Sequence, residues 1–353
     1  MKKQLAAVLV IVMLLTMGAC SQQQAPAAPQ APVASTAPEG TPAEVKEEVK
    51  PVKLALVVQT LENMFFLQLA EAAEAHVAKL ENVELTIVQG KTPEEQLKVM
   101  EDLIATNPDV IAVTPIDKAA IVPPIEAAME KGIPVFCLDN DNDLTEITSY
   151  IGTDNVLGGY LAGEWIIKTL GGEGKMAILE GPAGNYNSNI RRQGMDDAFA
   201  AIDNNIEIVA SVTANWRRDQ GLNVANDIIT ANPDLDLIFS LNDEMAFGAL
   251  EAIAASGRDI ILIGFNGVPE AFLNIYNGNM AATVGQYPEM MATSYIDIAV
   301  ELVRNGTAPE RVNKIPAAVV DTEMIKDVVD NNKAANTLEE ELLYAKLRKY
   351  YQG

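Results

Sequence analysis

Histidine is almost missing from this chain: His76 is the only one in 353 residues. A catalytic triad or a metal site built on paired imidazoles is therefore excluded, and His76 itself falls on a polar helical face. Cysteine is nearly as scarce. Cys20 and Cys137 are the only two, which excludes a disulfide framework, and Cys137 sits inside an apolar run where a free thiol reads as inert core. Positive charge is short as well, with 25 Lys and Arg against 49 Asp and Glu. Without Lys2 and Lys3 of the N-terminal leader the net charge is about −26, a surface that repels phosphate and excludes nucleic acid as a partner.

Two motifs fail for want of particular residues. "GGEGKM" (171–176) lacks the spacing and the Ser or Thr of a phosphate loop, and reads as a turn before a strand. In "FCLDNDNDL" (136–144), Asp139, Asp141 and Asp143 alternate like the opening of a calcium loop. Such a loop needs glycine at its sixth position and glutamate at its twelfth, where Leu144 and Tyr150 stand. No metal is expected. Asp139 is better placed as a ligand group at a strand end, with Asp141 and Asp143 on an exposed acidic loop.

What is present begins with a leader, residues 1–20. Lys2 and Lys3 precede an apolar run, Leu5 to Leu15, too short for the roughly 20 residues that span a bilayer. The small residues before Cys20 resemble the lipobox of bacterial lipoproteins, although Met17 stands where that motif prefers leucine. Cleavage there would leave Cys20 as a lipidated N-terminus and hold the protein outside the cytoplasm, on the membrane of a bacterial envelope. Residues 21–51 are rich in Pro, Ala, Gln and Glu without apolar period, the composition of a disordered tether.

From Val52 the chain alternates apolar runs with amphipathic stretches. Strands are expected at 52–59, 83–89, 110–115, 133–139, 175–181, 206–212, 235–241, 260–266 and 280–286. Helices are expected near 64–80, 93–106 and 117–131, and again between the later strands. Near-continuous Val, Ile and Leu suits parallel sheets covered on both faces, so the expected fold is α/β with two doubly wound lobes. "DLIATNPDVIAV" (102–113) and "DIITANPDLDLI" (227–238) also share an Asn-Pro-Asp break before a strand, which makes the second lobe a plausible repeat of the first.

In such sheets ligands bind beyond the carboxyl ends of the strands. Those ends carry Asn63, Asp139, Asn242, Asn266 and Gln286, with Phe65, Phe66 and Trp216 nearby. Amides, one carboxylate and flat aromatic faces suit a monosaccharide, whose C–H faces stack while its hydroxyls pair. No nucleophile–base pair occurs there, so no enzyme is expected.

The stretches "LVVQTLENMFF", "IPVFCLDN", "IGTDNVLGGYLAGEWI", "RRQG", "GLNVANDIITANPDLDLIFSLNDEMAFGAL", "IGFNGVPEA" and "TVGQYPE" run in order from about 52 to 320. Through them the chain resembles the periplasmic-binding-protein type I family, most closely its ribose-binding members. The resemblance implies a cleft between lobes joined by three crossings near 153–154, 286–287 and 318–319. The first lobe would be 52–153 with 287–318, and the second 154–286 with 319–333. Asn63 would bond a hydroxyl, Phe65 and Phe66 would flank the ring, Asp139 would accept from two hydroxyls, and Arg191 would donate. Trp216 would stack, and Asn242, Asn266 and Gln286 would complete the polar ring. Arg192 is the alternative to Arg191, and one of the two phenylalanines is as ready to pack as to touch ligand. Trp165 reads as core.

Two positions depart from the ribose pattern: Asn140 stands in place of arginine and Asn266 in place of aspartate. Charge-assisted bonds are lost at both, which points to a ligand other than D-ribose, or to weaker ribose binding. The resemblance implies a monomeric, lipid-anchored solute receptor of an ABC importer, taking a pentose, a hexose or a cyclic polyol. No cofactor is implied. The alternative is a sugar-sensing subunit for a membrane kinase or chemoreceptor. Residues 334–353 extend past the family's usual end, and "TLEEELLYAKLRKYY" has a Thr cap and leucines at helical spacing, so a short helix is expected there.

Overall fold

The computed structural model describes residues 50–142, 146–336, 341 and 343–347. The leader, Cys20 and nearly all of the tether lie outside these residues, as does Asp143. The first run of elements is β1 (Val52–Val58), α1 (Met64–Val77), β2 (Val83–Gln89), α2 (Pro93–Thr106), β3 (Val110–Val113), α3 (Val122–Glu130), β4 (Val135–Leu138) and β5 (Ser149–Thr153). The second is α4 (Asn155–Leu170), β6 (Glu173–Glu180), α5 (Tyr186–Ala201), β7 (Asn205–Thr213), α6 (Arg218–Ala231), β8 (Leu237–Ser240), α7 (Asp243–Ser256), β9 (Ile261–Asn266), α8 (Pro269–Tyr276) and β10 (Ala282–Gly285). The chain then passes through α9 (Pro288–Asn305), β11 (Val312–Ile315), β12 (Ala318–Asp321) and α10 (Thr322–Val329).

These strands form two six-stranded sheets, ordered β11-β5-β4-β3-β1-β2 and β12-β10-β9-β8-β6-β7. The two orders match strand for strand, which agrees with a repeated lobe. The last strand differs: β11 runs parallel to β5, whereas β12 runs antiparallel to β10. The shared Asn-Pro punctuation also resolves differently. Asn107 closes α2 in the left-handed region at φ 53, while Asn232 closes α6 at φ −124.

The central strands are apolar for the expected reason. Leu54, Leu56, Val58, Val110 and Ala112 pack on one face of the first sheet, and Ala55, Val57, Ile111 and Val113 belong to the cluster on the other. Each fully buried aliphatic side chain contributes roughly 1.5–3 kcal/mol. Helix starts follow local chemistry: Thr92 caps α2 ahead of Pro93, Glu94 and Glu95, which satisfies a free N–H and sets negative charge at the positive end of the dipole.

The chain changes sheet after β5, between β10 and α9, and between β11 and β12. Helix α9 belongs with the first sheet, where the Tyr295 hydroxyl donates to the Ala55 carbonyl at 2.9 Å. The last change falls at 316–317, ahead of the 318–319 expected, because Ala318 already pairs with Gly285. These passages are tied to one another: the Asp154 N–H donates to the Ile315 carbonyl at 2.7 Å, and Lys314 reaches the Asp154 carboxylate at 2.9 Å.

Three expectations need adjustment. Trp165 packs against the core but is only half-buried, and its indole N–H donates to Asp321 at 3.2 Å. Asp141 is no exposed loop carboxylate. It is half-buried on the cleft wall, where its carboxylate is held by Arg311 at 3.5 Å. His76 does face outward, but onto Asp297 of α9 at 2.6 Å. Of the C-terminal segment, Leu343, Tyr344 and Leu347 are buried, and the Lys346 ammonium lies 5.8 Å from the Phe272 ring and 3.7 Å from Glu289. Residues 337–340, 342 and 348–353 of that expected helix lie outside the described residues.

Candidate functional site

The carboxyl ends of the two sheets face a cleft of about 920 Å³. Asn63, Phe65, Phe66, Asp139 and Asn140 line it from the first lobe, and Arg191, Trp216, Asn242 and Asn266 from the second. Gln286 is not on the wall. It is 1 % exposed and sits one layer behind.

Asp139 follows β4 with φ 63, a left-handed conformation that costs an L-residue roughly 1–2 kcal/mol. Its surroundings hold it there. The Asp139 N–H donates to the Ile151 carbonyl at 3.0 Å, and the Tyr150 hydroxyl donates to the Asp139 carbonyl at 2.9 Å. Backbone strain fixed this firmly is the kind found where a side chain must be aimed. Burial pushes the Asp139 carboxyl up to about 6, against the opposing pull of the Arg191 guanidinium and the Asn187 amide.

Arg191 is the inward-facing arginine, 3 % exposed, while Arg192 points outward to Asp196 and Glu180. The Arg191 Nε donates to Asn155 at 2.8 Å, Nη1 to the Leu241 carbonyl at 2.7 Å and Nη2 to Gln286 at 3.2 Å. Its guanidinium lies 4.0 Å from the Phe265 ring centre and 5.7 Å from that of Trp216. Protein acceptors thus take three of its five N–H donors, and the other two have no hydrogen-bond acceptor among the described residues. Burial brings its pKa down to about 10, while Asp139, Asp243 and Tyr150 oppose the shift.

The asparagines are less free than their types suggested. Asn63 and Asn242 are N-caps of α1 and α7, and their side-chain oxygens accept from the Phe65 and Met245 N–H groups at 2.9 and 2.8 Å. Capping orients each amide so that its NH₂ is the uncommitted end, though the Asn242 NH₂ also makes a long 3.4 Å bond to the Trp216 carbonyl. Asn266, at φ 129, donates to Gln286 at 2.8 Å and accepts from the Asp243 N–H at 3.4 Å. Trp216 and its predecessor Asn215 are both left-handed, at φ 61 and 52, which turns the indole over Gly181. A Cβ on Gly181 would stand 2.1 Å from the indole Cζ2, so this close approach requires glycine. Phe65 and Phe66 are both buried and both on the wall, packed edge to face at 5.3 Å.

Asn187 and Asn155 were not among the expected residues. Asn187 donates to Asp139 at 3.2 Å across the cleft, and Asn155 donates to Asn187 at 3.1 Å. A signal existed: Asn187 lies four residues before Arg191 on α5 and so shares its helix face. Among the described residues no group of three His, Cys, Asp or Glu is placed to hold a metal.

Residues 54–307 match the family described as periplasmic binding protein domain. The ribose import binding protein of Escherichia coli (strain K12) is 34 % identical over 252 residues, which cover 71 % of this chain and 84 % of that protein. The D-allose-binding periplasmic protein of the same organism is 33 % identical over 265 residues, covering 71 % and 85 %. A solute-binding protein of Actinobacillus succinogenes 130z, solved with bound D-allose, superposes with a TM-score of 0.74 at 34 % identity, covering 78 % of this chain and 99 % of that one. The myo-inositol binding protein of Caulobacter, bound to myo-inositol, gives 0.73 at 28 %, covering 78 % and 96 %. With two matched α/β sheets, a cleft at their carboxyl ends and these relatives, the chain belongs to the periplasmic binding protein family, type I, of sugar ABC transporter binding proteins.

Proposed function

We propose that the protein is the solute-binding lipoprotein of an ABC importer, anchored through Cys20, which captures a monosaccharide or cyclic polyol as a monomer and delivers it to a permease. The observation that carries this reading is the cleft itself. It sets a buried carboxylate, Asp139, from one lobe against a stacked guanidinium, Arg191, from the other, with Trp216 and Phe65 on the same walls. A ligand bound between them contacts both lobes and so favours the closed form, the condition for a population shift about the three passages.

Relatives that bind D-allose, ribose and myo-inositol support the ligand class. Asn140 and Asn266 favour a ligand other than D-ribose, since neutral amides stand at both positions. The test is calorimetric titration of the protein with a panel of pentoses, hexoses and cyclitols. Selective binding of one member, lost in Asp139→Ala and Trp216→Ala, supports the reading. Tight and selective D-ribose binding overturns the ligand assignment, and no binding across the panel overturns the class.

A further inference from the structure

Asp139 is the middle residue of a three-residue turn. The Asn140 N–H donates back to the Leu138 carbonyl at 2.7 Å, with φ 63 at Asp139 between them. A γ-turn of this hand is rare and strained for an L-residue. Of the two main-chain groups of Asp139, the N–H keeps a partner in the sheet, the Ile151 carbonyl of β5. The carbonyl is met by a side chain instead, the Tyr150 hydroxyl at 2.9 Å. Tyr150 is buried and reaches this far because of what stands two residues on. Residues 150 and 152 of a strand share a face, and a Cβ on Gly152 would lie 2.1 Å from the Tyr150 hydroxyl oxygen and 2.5 Å from Cζ. Gly152 is not among the glycines with positive φ, so the position needs glycine for space alone. Neither residue lines the cleft.

Resting on the sugar or polyol reading above, we propose that Tyr150 is a positioning residue for ligand capture, whose hydroxyl clamps the strained turn that aims the Asp139 carboxylate, with Gly152 as its necessary complement. Asn187 touches the same carboxylate at 3.2 Å, but from the opposite lobe, and so holds it only while the lobes are together. Tyr150 belongs to the same lobe as Asp139 and holds the turn before a ligand arrives. Fixing a binding group in advance lowers the ordering cost at the moment of binding. Hydrogen bonds weaken steeply once their angle departs from linear. A loosened turn therefore costs affinity at the hydroxyl that Asp139 receives, and not at the hydroxyls held elsewhere.

The experiment is calorimetric titration of the full chain with D-ribose, D-allose and myo-inositol, followed by the monodeoxy analogues of whichever binds tightest. Tyr150→Phe keeps the ring and removes only the hydroxyl, and is expected to bind the parent about tenfold more weakly. In the unaltered protein each analogue that lacks a bonded hydroxyl is expected to bind about tenfold or more below its parent. In Tyr150→Phe one of these gaps is expected to narrow to within about threefold, and the others to stay as they were. Asp139→Asn is expected to narrow the same gap. Gly152→Ala keeps the hydroxyl but displaces it, so it should give the same selective loss, and it serves if the phenylalanine variant does not fold. A general loosening of the fold would instead lower affinity for parent and analogues alike. The proposal is overturned if the parent binds Tyr150→Phe undiminished, if all gaps are unchanged, or if the gap that narrows is not the one that Asp139→Asn narrows. In each of these cases parent binding shows that the sugar reading stands. Absence of binding by all three parents and the wider panel removes that reading first, and this one with it.

Discussion

Gln286 donates its Nε2 to the Thr153 hydroxyl at 2.7 Å, and so ties the first passage between the sheets to the second. Its Oε1 accepts from Arg191 at 3.2 Å and from Asn266 at 2.8 Å. One buried amide thus connects two cleft residues to the passages between the lobes. Gln286→Leu removes all three bonds while keeping the bulk. It is expected to lower unfolding stability by about 1–3 kcal/mol and to weaken ligand binding, although residue 286 is not on the cleft wall. Denaturant unfolding and calorimetry measure the two effects. Unchanged affinity in a folded variant would show that Gln286 only supports the fold.

Gly181→Ala probes the seat of Trp216. The added methyl meets the indole ring, so the ring must move out of its position beside Arg191. Affinity for the ligand is expected to fall about tenfold or more, with a modest loss of stability of about 1–3 kcal/mol from overpacking. Quenching of tryptophan fluorescence by ligand, read beside the affinity, would also diminish.

Acidity should act through Asp139 and Asp243, both brought up to about 6 by burial. Their folded values lie above that of an unfolded aspartate, near 3.9. Between the two values the folded state holds more protons, so stability falls as pH rises. Their contribution is fully present below about 4, lost through about 6 and level above it. Ligand hydroxyls donating to Asp139 favour its ionised form, so affinity should rise over the same window, with a proton released on binding near pH 6. Titrations in buffers of different ionisation enthalpy measure that proton. Asp139→Asn should abolish its release while leaving the contribution of Asp243 to stability.

Removing residues 337–353 strips Leu343, Tyr344 and Leu347 from the core. Each buried side chain is worth about 1.5–3 kcal/mol as an upper bound, so a clear fall in melting temperature is expected. Sugar affinity should change little, since none of the three lines the cleft. A truncated chain that melts like the intact one would show that the segment packs without stabilising.

The sheets were legible because central parallel strands need apolar residues on both faces. "VKLALVV" and "LDLIF" could hardly be anything else. The strands absent from that reading are β5, β11 and β12, "SYIGT", "VNKI" and "AVVD". Two are short sheet edges with little apolar demand. The third is buried yet carries Ser149, whose hydroxyl reaches the Glu310 carbonyl at 2.8 Å. The site was legible where strand ends face the cleft, and the side-chain partnerships were not. Nothing in a linear pattern assigns the oxygens of Asn63 and Asn242 to helix caps, sets Gln286 one layer back, or brings Asn187 across to Asp139.

The edge strands also bear on the order of events during synthesis. Neither lobe is a continuous length of chain: β11, residues 312–315, completes the first sheet beside β5, and β12, residues 318–321, completes the second beside β10. A nascent chain therefore carries two unfinished sheets with open edges until residues 312–321 have been made. Pairings this distant in sequence form late and slowly. For a polypeptide expected to be threaded through a membrane before it folds, that delay keeps the chain in a form that can still be threaded.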